Sequence, residues 1–145
     1  MKNAFLETYK ATKALATRLE AAATEEEKDL VRKEYKDVIA WLYEDGDAAC
    51  QIWPSCRRSY NNGNLLIDLD DNVSKDNVSE IVSCLRNNGV TKFTFSSTWS
   101  GAIESAWLFQ QNGCTLVGLV EVIGDNLLPH SNEHEKMPAL LFKLD

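Results

Sequence analysis

The chain has 145 residues, 44% apolar and 26% charged, with a formal charge of −7 from 15 basic and 22 acidic side chains. That length holds one ordinary domain with one core, and the composition excludes disordered, collagenous and low-complexity classes. The acidity argues against direct nucleic-acid binding, because contact with a phosphate backbone needs Lys and Arg to displace counterions. It is also uneven: residues 1–60 carry 10 basic and 11 acidic side chains, and residues 61–145 carry 5 and 11. No stretch approaches the roughly twenty apolar residues of a membrane span, and the start MKNAFLETYKATK lacks the apolar centre of a secretory signal. A cytoplasmic protein without membrane contact is expected.

Residues 3 to 22 place Phe5, Leu6, Tyr9, Leu15 and Leu19 at helical spacing with alanine between them, which predicts an amphipathic helix. Thr24 followed by Glu27 has the spacing of a capping box, so a second helix starts near residue 25 and runs to Asp45-Gly46. The two form a helical hairpin, whose amphipathic faces leave homodimerisation open. A short helix from Asp47 to Trp53 ends before Pro54, and Arg57-Arg58 with Asn61-Asn62-Gly63 reads as a loop. The aliphatic run Leu65 to Leu69 is the first strand. Ser74 caps a helix with Val78, Ile81, Val82 and Leu85 on its inner face and Gly89 as its stop. Thr91 to Phe95 is the second strand. Residues 99 to 112 form a helix with Ile103, Ala106, Trp107 and Phe109 inward, ended by Gly113. Cys114 to Ile123 is the third strand, and Pro138 to Leu144 an antiparallel fourth. The expectation is a mixed α/β or α+β fold in one domain, residues 1–145. A helical part (1–62) precedes a small βαβαβ(β), mainly parallel sheet with two crossover helices (63–145).

Cys50, Cys56, Cys84 and Cys114 are expected as reduced thiols, with Cys84 and Cys114 acting as small buried hydrophobes. Their spacing is not that of a zinc site, and His130 and His134 fall in a loop with Pro129, Ser131 and Asn132, so neither a metal nor a cofactor is expected. Trp41 and Trp107 sit in apolar stripes and read as core. Trp53 and Trp99 fall at element boundaries, where an aromatic either seals the core or anchors an interface.

In open α/β sheets ligands collect at the carboxyl ends of the strands. Here those ends carry Asp68, Asp70 and Asp71, then Ser96, Ser97 and Thr98 leading into Trp99-Ser100-Gly101, then Gly124 and Asp125. The run Leu65-Leu66-Ile67-Asp68-Leu69-Asp70-Asp71 resembles the nucleophile motif of the haloacid-dehalogenase phosphatases. Ser96 or Ser97 after Phe93-Thr94-Phe95 is similar to their second motif, and Val122-Ile123-Gly124-Asp125 to their acidic fourth. The resemblance implies a magnesium-dependent enzyme with Asp68 as nucleophile, Asp70 as acid and base, Ser96 on the phosphoryl oxygens and Asp125 on the metal. It departs from that family in having no lysine between the second and fourth motifs. An alternative without turnover is a nucleotide or phosphate-ligand site built from Ser96, Ser97, Ser100, Gly101 and Asp125, though Ser97, Thr98 and Ser100 also fit simple helix capping.

Phe93-Thr94-Phe95-Ser96-Ser97, Trp99-Ser100, Glu104-Ser105-Ala106-Trp107-Leu108-Phe109-Gln110 and Gly113-Cys114 resemble an uncharacterised family of small accessory proteins from phages, plasmids and integrative elements of anaerobic Firmicutes. The resemblance implies no catalytic residues. It implies a genetic setting in which small acidic proteins blunt host defence, as anti-CRISPR proteins do. The reading this favours is a non-enzymatic inhibitor whose partner is a basic nucleic-acid-binding protein, such as a CRISPR effector. Asp68, Asp70, Asp71, Asp76 and Glu80 would then face the partner's basic groove as phosphate surrogates, with Trp53 or Trp99 as an apolar anchor.

Overall fold

The computed structural model describes residues 1–145. In chain order its elements are α1 (Ala4–Ala21), α2 (Glu25–Asp45), α3 (Asp47–Asn61), β1 (Asp68–Leu69), α4 (Val78–Asn87), β2 (Lys92–Phe95), α5 (Ala102–Gln111), β3 (Cys114–Leu127) and β4 (His134–Leu144). Local chemistry sets the first helix starts. The Asn3 side chain accepts from the Leu6 amide at 3.1 Å, and Thr24 Oγ1 accepts from the Glu27 amide at 3.2 Å. Glu27 in turn reaches back to the Ala23 amide at 2.9 Å, closing the box expected from the sequence.

The third helix is longer than the sequence suggested, because α3 continues through Pro54 to Asn61. An internal proline costs roughly 3 kcal/mol, but fully burying Ile52 and Trp53 returns about 1.5–3 kcal/mol for each side chain. Ala49, Cys56, Ser55 and Ser59 are buried on the same helix, so packing outweighs the local penalty. Arg58 is thereby held on a rigid helix rather than in a loop. Other boundaries move as well: β3 extends to Leu127, and β4 starts at His134 in what the sequence suggested was loop. The first strand is only Asp68–Leu69, with Leu65 at 90% exposure, and α4 starts at Val78 because Ser74 belongs to a preceding turn in which its amide donates to Asn77 Oδ1.

The sheet is mixed, in the order β1-β2-β4-β3. β1 and β2 are parallel, with Asp68 opposite Thr94, whereas β4 runs antiparallel to both β2 and β3. The expected unbroken parallel βαβαβ order is therefore corrected. The last strand enters between β2 and β3, and β3 is an edge. β3 and β4 are consecutive and joined by a short loop, so they pair as a long hairpin. Ala139, Phe142 and Leu144 are buried and Leu140 and Leu141 half-buried, so β4 is apolar on both faces and suits a central position.

Phe93, Phe109 and Phe142 are wholly buried, and with Phe95 they form an aromatic cluster with ring centroids 5.0–5.4 Å apart. This cluster fixes the rotation of α5. The expected inward residues Ile103 and Trp107 are instead 85% and 56% exposed. Ala106 and Phe109 do face inward as expected, joined at helical spacing by Ala102 and Ser105, and these small side chains let Phe109 enter the cluster at close range. A continuous set of buried apolar residues joins Phe5, Leu42, Ile52 and Cys56 of the helices to Ile81, Leu85 and the phenylalanines. Gly89 marks where the chain start is locked down. Its φ is +81°, a side chain there would lie 2.1 Å from the Lys2 carbonyl oxygen, and the Ala4 amide donates to Asn88 O at 2.9 Å.

Candidate functional site

The carboxyl ends of β1 and β2 and the far end of β3 meet the last turns of α3 around a depression of about 220 Å³. Asp68, Asp70, Asp71, Ser96 and Asp125, drawn from three separate stretches of sequence, all line it, with Thr98, Asn64 and Glu135. Asp68 is 4% exposed. Its two carboxylate oxygens accept from Thr94 Oγ1 at 2.7 Å and Ser96 Oγ at 2.6 Å, and its amide donates to Ser59 Oγ at 2.8 Å. Desolvation pushes the Asp68 carboxyl above the usual aspartate range, against the opposing pull of the Ser96 and Thr94 hydroxyls and the Arg58 charge.

Arg58 is the hub of the depression. It pairs with Asp70, lies 3.8 Å from Asp68 Oδ2 and 4.0 Å from Asp125 Oδ1, and donates to the Asp68 carbonyl at 3.2 Å. A single guanidinium thus serves three of the five carboxylates that line the depression, which stays acidic. Asn62 donates to Asp125 Oδ1 at 2.5 Å, and Asn64 is bonded to both the amide and the carbonyl of Ile123 at 2.9 Å, which pins the end of β3 to the α3 terminus.

The arrangement does not fit the magnesium that the phosphatase resemblance implies. Both oxygens of Asp68 are taken by hydroxyls, a guanidinium stands among Asp68, Asp70 and Asp125, and no group of three or more His, Cys, Asp or Glu side chains is disposed to hold a metal ion. Asp68 is correspondingly not turned outward as a phosphate surrogate. Trp53 is likewise corrected as a surface anchor, since it is 8% exposed within the core. Trp107, expected in the core, is on the surface, and Trp99 is open at 68%. Ser97 donates to Asp71 Oδ1 at 3.0 Å on the rim, while Ser100 and Gly101 are exposed in the turn before α5 and do not line the depression.

Asp76 and Glu80 lie elsewhere. They line a second groove, about 590 Å³, between α3 and α4, with Asp45 and Asp47 joining them and no Lys or Arg among the lining residues. Asp45 and Asp47 were not singled out from the sequence, because they precede Asp76 by about thirty residues and only the packing of α3 on α4 brings the four together. Arg58 is hidden for another reason: Arg57-Arg58 beside Asn61-Asn62-Gly63 has the composition of a loop, yet it lies on α3.

A family model for a domain of unknown function, DUF7698, matches residues 51–144. The chain belongs to this family. The DUF7698 match runs from α3 to β4, covering the Arg58 hub and the sheet, and the hairpin of α1 and α2 lies before it. No curated protein and no solved structure matches the chain. The match agrees with the expectation only in that the family is uncharacterised, and no helix is long and apolar enough to cross a membrane.

Proposed function

We propose that this DUF7698 protein is a non-catalytic binding module for a basic protein partner, and that the partner is a nucleic-acid-targeting host defence protein which it inhibits on behalf of a phage, plasmid or integrative element. The observation that carries the reading is the groove between α3 and α4, where Asp45, Asp47, Asp76 and Glu80 converge with no Lys or Arg among the lining residues. Unpaired carboxylates in a concave surface focus a negative potential that attracts Lys and Arg side chains arranged to meet phosphates. Asp71 and the exposed Trp99 extend the same kind of surface toward α5.

Affinity capture of the tagged chain from a bacterial lysate, eluted stepwise with salt, is the first test. It is followed by a binding measurement on the captured protein with D76K/E80K. The expected result is a basic, nucleic-acid-handling protein released by salt, whose affinity falls at least roughly tenfold with the double reversal. Binding unchanged by the reversal and by salt overturns the reading. Hydrolysis of activated phosphate esters, lost in Asp68→Asn, also overturns it, in favour of an enzyme.

A further inference from the structure

The base of the α1–α2 hairpin joins the main core through Phe5 and Leu42, but its outer half does not. Leu15 and Val31 are buried yet lie outside the continuous core. Around them an open, mostly apolar groove of about 930 Å³ runs between the two helices, lined by Leu15 and Leu19 of α1 and by Val31, Tyr35, Ile39 and Tyr43 of α2. Tyr43 is 72% exposed. Two helices alone leave such a face half covered, and an apolar face of this kind is ordinarily closed by further helices.

We propose that the groove receives α2 of a second copy of this chain, the two α2 helices running antiparallel about a twofold axis. The positions that α2 contributes are 31, 32, 35, 36, 39, 40, 43 and 44, a set symmetric about the point between residues 37 and 38. Antiparallel pairing therefore lays the set onto itself. Tyr35 of each copy meets Ala40 of the other, a large side chain against a small one. Of the lining charges, Arg32 lies toward one end and Glu44 at the other, so Arg32 of each copy meets Tyr43 and Glu44 of its mate, while Lys36 lies near the twofold point opposite Ile39. A parallel copy would set like charges together. α2 carries four basic and eight acidic side chains, but of these only Arg32, Lys36 and Glu44 line the groove. The groove shares no lining residue with the acidic groove between α3 and α4, so either proposal can fail without the other.

Sedimentation velocity of the full chain over a concentration series tests this, with far-UV circular dichroism to confirm that each variant keeps its helices. The expected species is a dimer of the 16.3 kDa chain, converted to monomer by Ala40→Glu. Glu44→Arg and Arg32→Glu should each weaken it at least roughly tenfold, and R32E/E44R should recover most of the loss. The Ala40 and Glu44 side chains make no hydrogen bond or ion pair within the monomer, whereas Arg32 bonds Asp29 at 2.9 Å, so the first two variants separate association from folding. A wild-type chain that stays monomeric, a dimer indifferent to Ala40→Glu, or a charge swap no better than its single changes overturns the proposal.

Discussion

Replacing Arg58 by methionine keeps most of the side-chain stem and removes the one cation of the strand-end depression. An exposed ion pair contributes about 0–1 kcal/mol, whereas breaking a buried pair costs about 3–5 kcal/mol because it strands a charge. The Arg58 and Asp70 side chains are 29% and 26% exposed and Asp68 is 6% exposed, so Arg58→Met falls between these limits, at about 2–3 kcal/mol. With an m-value of about 2 kcal/mol per molar urea, the midpoint should fall by about 1 M. The loss should also depend on pH. Burial already raises the Asp68 carboxyl above its unfolded value, so the native state binds the proton more readily than the unfolded chain. The ionised group thus opposes folding at neutral pH, and this penalty is relieved as pH falls through the raised value toward the unfolded one. Removing Arg58 raises the carboxyl further, so the variant's deficit should be largest near neutrality and shrink in acid. Urea unfolding of both proteins at about pH 7.5 and about pH 5 measures the difference. An equal deficit at the two pH values, or one below about 1 kcal/mol, refutes the reasoning, since Arg58 would then act through its stem or be screened by water.

Phe109→Ala removes the wholly buried ring that touches Phe93, Phe95 and Phe142, and should cost about 3–5 kcal/mol. Thermal denaturation should show a fall in Tm of about 10 °C or more, at about 3 °C per kcal/mol for a chain of this size. A shift under about 3 °C would mean that α5 is not anchored there. Burial pushes the Cys56 and Cys84 thiols up to about 12 and the Cys114 thiol up to about 11, so their thiolates are scarce at neutral pH. These three should react with an aromatic disulfide reagent only after denaturation, and fast labelling of Cys56 in the native chain would contradict its position against α1.

The capping box at Thr24 and the α4 stripe were legible along the chain because each rests on interactions within a few residues, and the helical hairpin and antiparallel last strand because the connections before them are short. The strand-end acids were legible too, since hydrophobic strands ending in aspartate mark where a sheet opens to ligand. What those acids do was not. Their state depends on Arg58, which reaches them only because α3 runs through Pro54, and that continuation depends on burial of Ile52 and Trp53 rather than on local preference. The same holds for α5, where the aromatic cluster on the sheet draws Phe109 in and turns Ile103 and Trp107 out. The sequence by itself determined most of the helices and the rough position of each strand, the acidity of the second half, and the candidate residues at the strand ends. Only the tertiary structure decided that Asp68 is buried and paired, that Trp53 is inside and Trp107 outside, that β4 divides the parallel strands, and that Asp45 and Asp47 join Asp76 and Glu80. Periodicity encodes which face of an element is apolar, whereas the pairing of distant charges and the order of strands follow from how those faces share one core.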